Sequence, residues 1–486
     1  MAEEKEEKSI VGSIFEWLAH TIDSAIRGGG GGHGHGDEET FFQKWFSIHG
    51  WVHYAGDWYV SRALFITVLY VPMLVACTFL FPQFPRLVYG WLLLTLPVTL
   101  FFGMIAGFWG TWVWYVQSLF IFSRTNPVLL EVKMPADVLK SPRAMELVMS
   151  GLWIRSSETT FIDRYWGGGV RPYFSFEIAS FGGEIHFFVW TRRGFKNIVE
   201  SNFYAQYPDV EIVEVEDYAT RFQYDHHKHQ CFVTDYVFES NHVDRRDERI
   251  NAYPIKTYVD YELDKDPKEE LKVEPFAQVL EVLNNMNEHE QAWVQIVVRS
   301  HLVKKWKKIV EAEIETIRQD AAEQISLGEN GEKKFGFPHP TDQQKEQMRT
   351  MARQLGKLPF EFGARGIYIA PRGKMRSPEY TAFRWIFRPF ANPNYLVMLR
   401  PRNAHNDFDY PWQDFRDIRW EHETHRWIDA YRRRMVFHPP WQNDKPNITS
   451  NEVLATIWHP PSRTIQTPGL QRIPSTKSSP PPNLPM

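Results

Sequence analysis

ALFITVLYVPMLVACTFLF, residues 63–81, and LVYGWLLLTLPVTLFFGMIAGFWGTWVWYVQSLFIF, residues 87–122, carry no charged side chain, and only Pro82–Arg86 separates them. The first run has nineteen residues and the second thirty-six. About 20 apolar residues at 1.5 Å each cross a hydrocarbon core roughly 30 Å thick, and lipid forces such segments to be helices. The first run is therefore one span, and the second is a span with an apolar extension. A membrane hairpin is expected, with most of the chain's mass on one side.

The rest of the chain is hydrophilic. Mean hydropathy over all residues is −0.40, so the membrane affinity is concentrated in one short region. About 360 residues follow the hairpin, enough for two or three domains. The formal charge of −4 argues against a protein that coats nucleic acid. Two cysteines, Cys77 and Cys231, exclude a disulfide scaffold and a cysteine-based zinc site. The acidic N-terminus does not read as a cleavable signal peptide. Lys44 and Arg62 precede the hairpin, and Arg124, Lys133, Lys140 and Arg143 follow it. The turn holds only Arg86. The positive-inside rule then puts both ends in the cytoplasm and the turn outside.

Residues 1–40 read as an amphipathic helix (Ile10, Ile14, Leu18, Ile22 and Ile26) and a Gly/His linker. Residues 41–124 form the juxtamembrane segment and hairpin. Over 125–222 the pattern is strand, helix, strand, strand, helix, strand. Phe174, Phe176 and Ile178 alternate with Ser175, Glu177 and Ala179. Gly182-Gly183 turns the chain, and Ile185, Phe187 and Val189 alternate again. The same order is expected over 223–438, opening with a strand at 253–263 and carrying a helical insert at 301–359. The insert is expected to project as a partner-contact arm or to fold back on the core. The fold class expected is thus α+β: a transmembrane hairpin followed by two ferredoxin-like (βαββαβ) modules. A Pro-rich tail, 439–486, contains an apolar run, 453–458, read as a short strand.

Few residues point to chemistry. The sequence has no G-x-x-x-x-G-K-[ST], no H-E-x-x-H and no G-x-S-x-G. Gly167-Gly168-Gly169 lacks the P-loop lysine and reads as a flexible turn. The cluster Asp225-His226-His227-Lys228-His229-Gln230-Cys231 contains metal-ligand types, yet Lys228 sits inside it. It reads as a loop between modules, and His405, His422 and His425 read as surface and structural groups. No metal or cofactor is expected. Residues 360–440 hold fourteen Lys or Arg against nine Asp or Glu. Arg426, Arg432, Arg433 and Arg434 lie there beside Trp427 and Tyr431. With Lys304, Lys305, Lys307 and Lys308 of the insert, they are candidate contacts for nucleic acid or a membrane surface; a solvated face paired with nearby acids is the plainer reading.

The strings Ser175-Phe176-Glu177-Ile178-Ala179-Ser180-Phe181-Gly182-Gly183-Glu184, Tyr204-Ala205-Gln206-Tyr207-Pro208 and Val213-Glu214-Val215-Glu216-Asp217-Tyr218 carry a resemblance. So do Ile367-Tyr368-Ile369-Ala370 and 451–460. Over roughly 60–486 the chain resembles the non-ATPase N-terminal half of membrane-anchored type IV secretion or conjugation proteins of candidate-phylum bacteria. In that family a HerA/FtsK-like ATPase domain commonly follows. Its Walker residues have no counterpart here, so no catalytic residue transfers. The resemblance implies a non-catalytic anchor in the bilayer that docks a HerA/FtsK-like ATPase in trans, with homo-oligomers expected by analogy. DNA is a further candidate partner. The alternatives are a membrane-tethered nucleic-acid binder, a structural cell-envelope scaffold, and an enzyme built on the histidine clusters.

Overall fold

The computed structural model describes positions 72, 75, 78–81 and 83–473, leaving aside 136–137, 139, 156–159, 241–242, 244–246, 266–272, 324–338, 395–396, 404–413, 415, 440 and 442–445. The amphipathic stretch and linker of residues 1–40, most of the first apolar run and the Pro-rich end from 474 lie outside the described residues.

The second apolar run is one helix, α1 (Phe84–Leu119), 36 residues long with Pro97 inside it. It ends in a π-helical turn, Phe120–Arg124. Among the described residues this is the one helix long and apolar enough to cross a membrane, with a mean hydropathy of 2.0 in its most apolar window. The chain divides into two compact units, 1–102 with 407–416 and 103–406 with 417–486. The β-sheet lies wholly in the second.

Chain order through the first half of the sheet is β1 (Pro127–Pro135), α2 (Arg143–Gly151), α3 (Phe161–Tyr165), β2 (Tyr173–Phe181), β3 (Glu184–Arg192), α4 (Lys196–Gln206), β4 (Glu211–Val215) and α5 (Tyr218–Arg221). The second half runs β5 (His229–Glu239), α6 (Phe276–Asn284), β6 (Gln291–Ser300), α7 (Val303–Glu323), α8 (Asp342–Leu355), β7 (Pro359–Pro371), α9 (Ser377–Arg384), β8 (Met398–Asn403) and α10 (Ile418–Arg432). β9 (Asn447–Ser450), α11 (Asn451–Ile457) and β10 (Arg472–Ile473) close the described chain.

All ten strands form one mixed sheet. In the first half β4 pairs β1, β1 pairs β3 and β3 pairs β2, all antiparallel. The second half repeats this as β8–β5–β7–β6. The halves join through nine antiparallel pairs between β2 and β6, from Tyr173↔Arg299 to Phe181↔Gln291. Gly182 and Gly183 at φ +62° and +92° make the β2–β3 turn, as their lack of a Cβ allows. β10 runs parallel to β1 and β9 antiparallel to β7.

Both faces of the sheet are covered. Phe174, Phe176 and Ile178 face the side packed by α2, α4, α6 and α11, where Trp458 is fully buried. Tyr173, Trp190 and Trp293 face the other side, under Trp427, Ile428 and Tyr431 of α10 and the chain at 436–437. Each buried tryptophan removes about 200 Å² from water, on the order of 5 kcal/mol before entropy is charged. Double coverage makes the strands read as near-continuous buried runs, which for β7 extends through twelve of its thirteen positions.

Two expectations are corrected. Residues 253–263 are turns rather than a strand, and β5 opens the second half. Tyr253, Ile255 and Tyr258 are buried there, so the alternation records burial. The backbone breaks at Glu262, φ +55°, and the Asp260 carboxylate accepts the Thr257 N–H at 2.9 Å. The run at 453–458 is helical as α11, N-capped by Ser450, whose hydroxyl accepts from the Val453 N–H. A helix buried on every side gives a short apolar run that periodicity cannot separate from a strand. Of the two arrangements expected for the insert, its described residues take the second and fold back on the core: Trp306, Val310 and Met351 are buried. Gln354 of α8 donates to Glu452 on α11 at 3.1 Å, and Lys357 forms an ion pair with the same carboxylate at 3.5 Å.

Candidate functional site

The polar centre of the molecule lies on the seam between the two halves. Glu177 on β2 faces Gln295 on β6 at the midpoint of their register, and neither side chain reaches solvent. A lone carboxylate there would cost several kcal/mol to bury. It is answered from four directions. Ser175 donates at 2.6 Å and Gln295 Nε2 at 3.1 Å. Tyr218 donates its hydroxyl at 2.7 Å. Arg434 presents Nε at 2.9 Å to one carboxylate oxygen and Nη2 at 3.0 Å to the other.

Arg434 also holds Asp217, which N-caps α5 by accepting the Ala219 N–H at 3.0 Å. Its backbone sits in the left-handed region at φ +52°, just past α10, where the Met435 N–H returns to the Ala430 carbonyl. An arginine at a position that favours glycine is explained by its side chain. Burial opposes the guanidinium's charge, but Glu177 and Asp217 more than offset this and hold its pKa well above the usual value. Burial and then the Glu177 charge push the Tyr218 and Tyr431 hydroxyls well above the phenol range, so both remain hydrogen-bond donors. The centre ties α5, the end of α10 and both seam strands into one network.

A cavity of about 900 Å³ opens beside this centre. Trp114, Tyr115, Phe122, Trp190, Arg432 and Arg433 are among its lining. The acids on its wall are engaged: Glu214 by Arg193 and Lys196, both at 2.8 Å, Asp217 by Arg434, and Asp429 by Arg433 at 2.9 Å.

The residues singled out as contacts scatter. Lys304, Lys305, Lys307 and Lys308 are exposed on α7 on either side of the buried Trp306, and Lys305 lies 3.9 Å from Glu248. Arg426 pairs with Glu423 at 2.6 Å and stacks over Trp441. Arg432 donates to the Ala219 and Phe222 carbonyls, Arg433 pairs with Asp429, and Arg434 is enclosed. The arginine triplet is therefore three side chains with three different jobs.

Asp225–His229 is a turn in which the His229 N–H donates to the Asp225 carbonyl at 2.8 Å. Cys231 is buried on β5, and burial pushes its thiol pKa up. His425 packs against Tyr224, while His405 lies outside the described residues. Among the described residues no group of three or more His, Cys, Asp or Glu is placed to hold a metal ion. Gly168, φ +72°, lies against α1, and a Cβ there would stand 2.3 Å from the Val116 carbonyl oxygen. The triple glycine thus serves a close approach. Glu177, Asp217, Tyr218 and Gln295 carried no site signal in the sequence, because Glu177 occupies the polar phase of an alternating strand, the phase that ordinarily meets water. No family model and no curated protein matches the chain.

Proposed function

We propose that this chain is a non-catalytic, membrane-anchored platform of a type IV secretion-like DNA or protein translocation machine, and that it docks a P-loop ATPase carried on another chain. In this reading α1 is the second arm of a transmembrane hairpin in the inner membrane. The two halves of the sheet are tandem ferredoxin-like modules in the cytoplasm.

The observation that carries the proposal is the join between helix and sheet. Only Thr125 and Asn126 separate the π turn from β1, and both carbonyls accept the Arg193 N–H, at 3.3 and 3.2 Å. The Thr125 hydroxyl donates to the Ile121 carbonyl at 2.7 Å. A motor pulling on a substrate needs an anchor that transmits position without a slack linker, and this junction supplies one. The strand order β4–β1–β3–β2, repeated as β8–β5–β7–β6, supports the tandem-module reading. The triplet's internal bonding favours the platform over the nucleic-acid binder.

Gentle purification from the native membrane, followed by mass spectrometry, tests the proposal. A P-loop ATPase at near-stoichiometric amount is expected. Recovery of the protein alone or with envelope proteins only would replace the platform with a structural scaffold.

A further inference from the structure

The geometry points to a second membrane-contacting element: the aromatic loop around α3, which we propose lies in the lipid interface beside α1. The inference rests on the reading of α1 as a membrane span. Each described side chain from Pro85 to Thr111 is exposed, a length of about 40 Å at 1.5 Å per residue. That matches a hydrocarbon core of roughly 30 Å with part of the headgroup layers added. Burial then begins within one turn, at Val113, Val116 and Gln117. Counting about 20 residues of hydrocarbon from Arg86 brings the far boundary to the region of Ala106, so Phe108, Trp109 and Trp112 fall just beyond it, at the level of the headgroups.

α3 is fastened to that turn. Phe161 stacks on Trp109 with ring centres 6.3 Å apart, and Tyr165 lies 5.4 Å from the same ring. Trp166 meets Trp112 at 5.4 Å, and the Trp112 indole N–H donates to the Tyr165 carbonyl at 3.0 Å. Arg124 donates to the Gly167 carbonyl at 3.2 Å. Gly168 completes the clasp by its approach to Val116. The loop's depth is thereby set by the register of α1.

The loop presents large apolar side chains beside the exposed Asp163 and Arg164. Phe161, Ile162 and Trp166 are 62, 68 and 57 % exposed, and Thr160 caps the helix by accepting the Asp163 N–H. Three large apolar side chains held next to an exposed apolar helix form a patch that soluble surfaces rarely carry. Aromatic rings with polar neighbours at this depth are the composition of an interfacial belt. The occupant is the bilayer, because the patch continues the exposed surface of α1 at the level where that surface ends.

The test uses the full chain in phospholipid nanodiscs, with Cys77→Ser and single spin labels at Ile162→Cys, Leu94→Cys and Val273→Cys. Ile162 is the most exposed of the three apolar side chains, so it is the one labelled. Collision with oxygen reports lipid, and collision with a water-soluble nickel chelate reports water. The label at 162 is expected to lose nickel access and gain oxygen access as at 94, while the label at 273, on an exposed residue, stays open to nickel. Nickel access at 162 equal to that at 273, with 94 still protected, overturns the inference alone. Protection of 162 from both reagents also overturns it, in favour of a protein partner. Nickel access at 94 instead overturns the membrane-spanning reading on which it rests.

Discussion

The seam and the clasp both bind distant parts of the chain, by opposite physics. At the seam, Arg434 reaches Glu177 across 257 residues of sequence and joins the elements through buried charge. At the clasp, α3 and the turn after it join α1 through stacked rings, two hydrogen bonds and one glycine. A charged joint is specific because every alternative leaves a carboxylate unanswered in a dry interior. A shape joint is specific because only one backbone approach fits. The first should fail globally when broken, the second locally.

The largest effect expected is from Arg434→Met. It leaves Glu177 without its cation, and breaking a buried pair costs about 3–5 kcal/mol. Chemical denaturation in nanodiscs should show a large drop in midpoint, and Glu177→Gln added to Arg434→Met should recover part of it. A single variant within about 1 kcal/mol of the parent would mean that the seam is held by its strands and not by its charges. Gly168→Val comes next. The residue needs positive φ, and its Cβ would meet the Val116 carbonyl oxygen, for a cost of roughly 2–3 kcal/mol. Hydrogen exchange should speed up across 160–169 while β2 and β6 stay protected. Equal acceleration in the seam strands would show that the two joints form one cooperative unit.

The contrast also explains what could be read in the sequence. Alternation in 174–178 and 185–189, with Gly182-Gly183 between, marked the hairpin of β2 and β3, because strand period and turn chemistry are local. The insert's Trp306, Val310 and Ile314 marked α7 for the same reason. Alternation says which side chains share a face but not what covers it. Nothing local marks Ser175, Glu177 and Ala179 as buried, because α10 and residues 436–437, which cover that face, lie more than 230 positions away. The strand expected at 253–263 failed in the same way, since burial from both sides imitated a pleat. Gly168 could be seen only as a turn; the helix backbone it touches is fifty residues upstream.

A pH experiment separates a third burial site from both joints. His438 is buried on the second face, beside the Tyr173 ring at 5.7 Å, and neither ring nitrogen has a hydrogen-bond partner. Burial, with Arg192, Arg299 and Arg433 nearby, lowers its pKa to about 3. Unfolded, it titrates near 6.5. The unfolded chain therefore takes up the proton first, so stability is full above about pH 6.5 and falls as pH drops toward 3, by up to about 1.4 kcal/mol per unit. Glu361 shares one of these arginines, Arg299, with which it forms an ion pair at 2.5 Å. Burial raises its pKa, but the His301 hydrogen bond and the charges of Arg299 and Arg171 bring it down to about 2. Its own loss of stability thus begins only below about 4.5. Between pH 7 and 5, His438→Leu should flatten the dependence of the denaturation midpoint; an unchanged slope would mean that the ring takes up its proton in the folded state.

The smallest effect expected is from replacing Lys304, Lys305, Lys307 and Lys308 together by alanine. All four are exposed on α7, and surface changes of this kind shift stability by about 0.5 kcal/mol or less each, while alanine favours the helix. The seam and clasp variants should change folding and leave these charges where they are; this variant should do the reverse. Its folding midpoint should match the parent, and any salt-dependent binding to anionic vesicles or DNA should weaken, since each lysine removed releases fewer counterions. A large loss of stability would place the lysines in a joint of their own. An unchanged midpoint with unchanged binding would leave the exposed face of α7 as plain solvated surface.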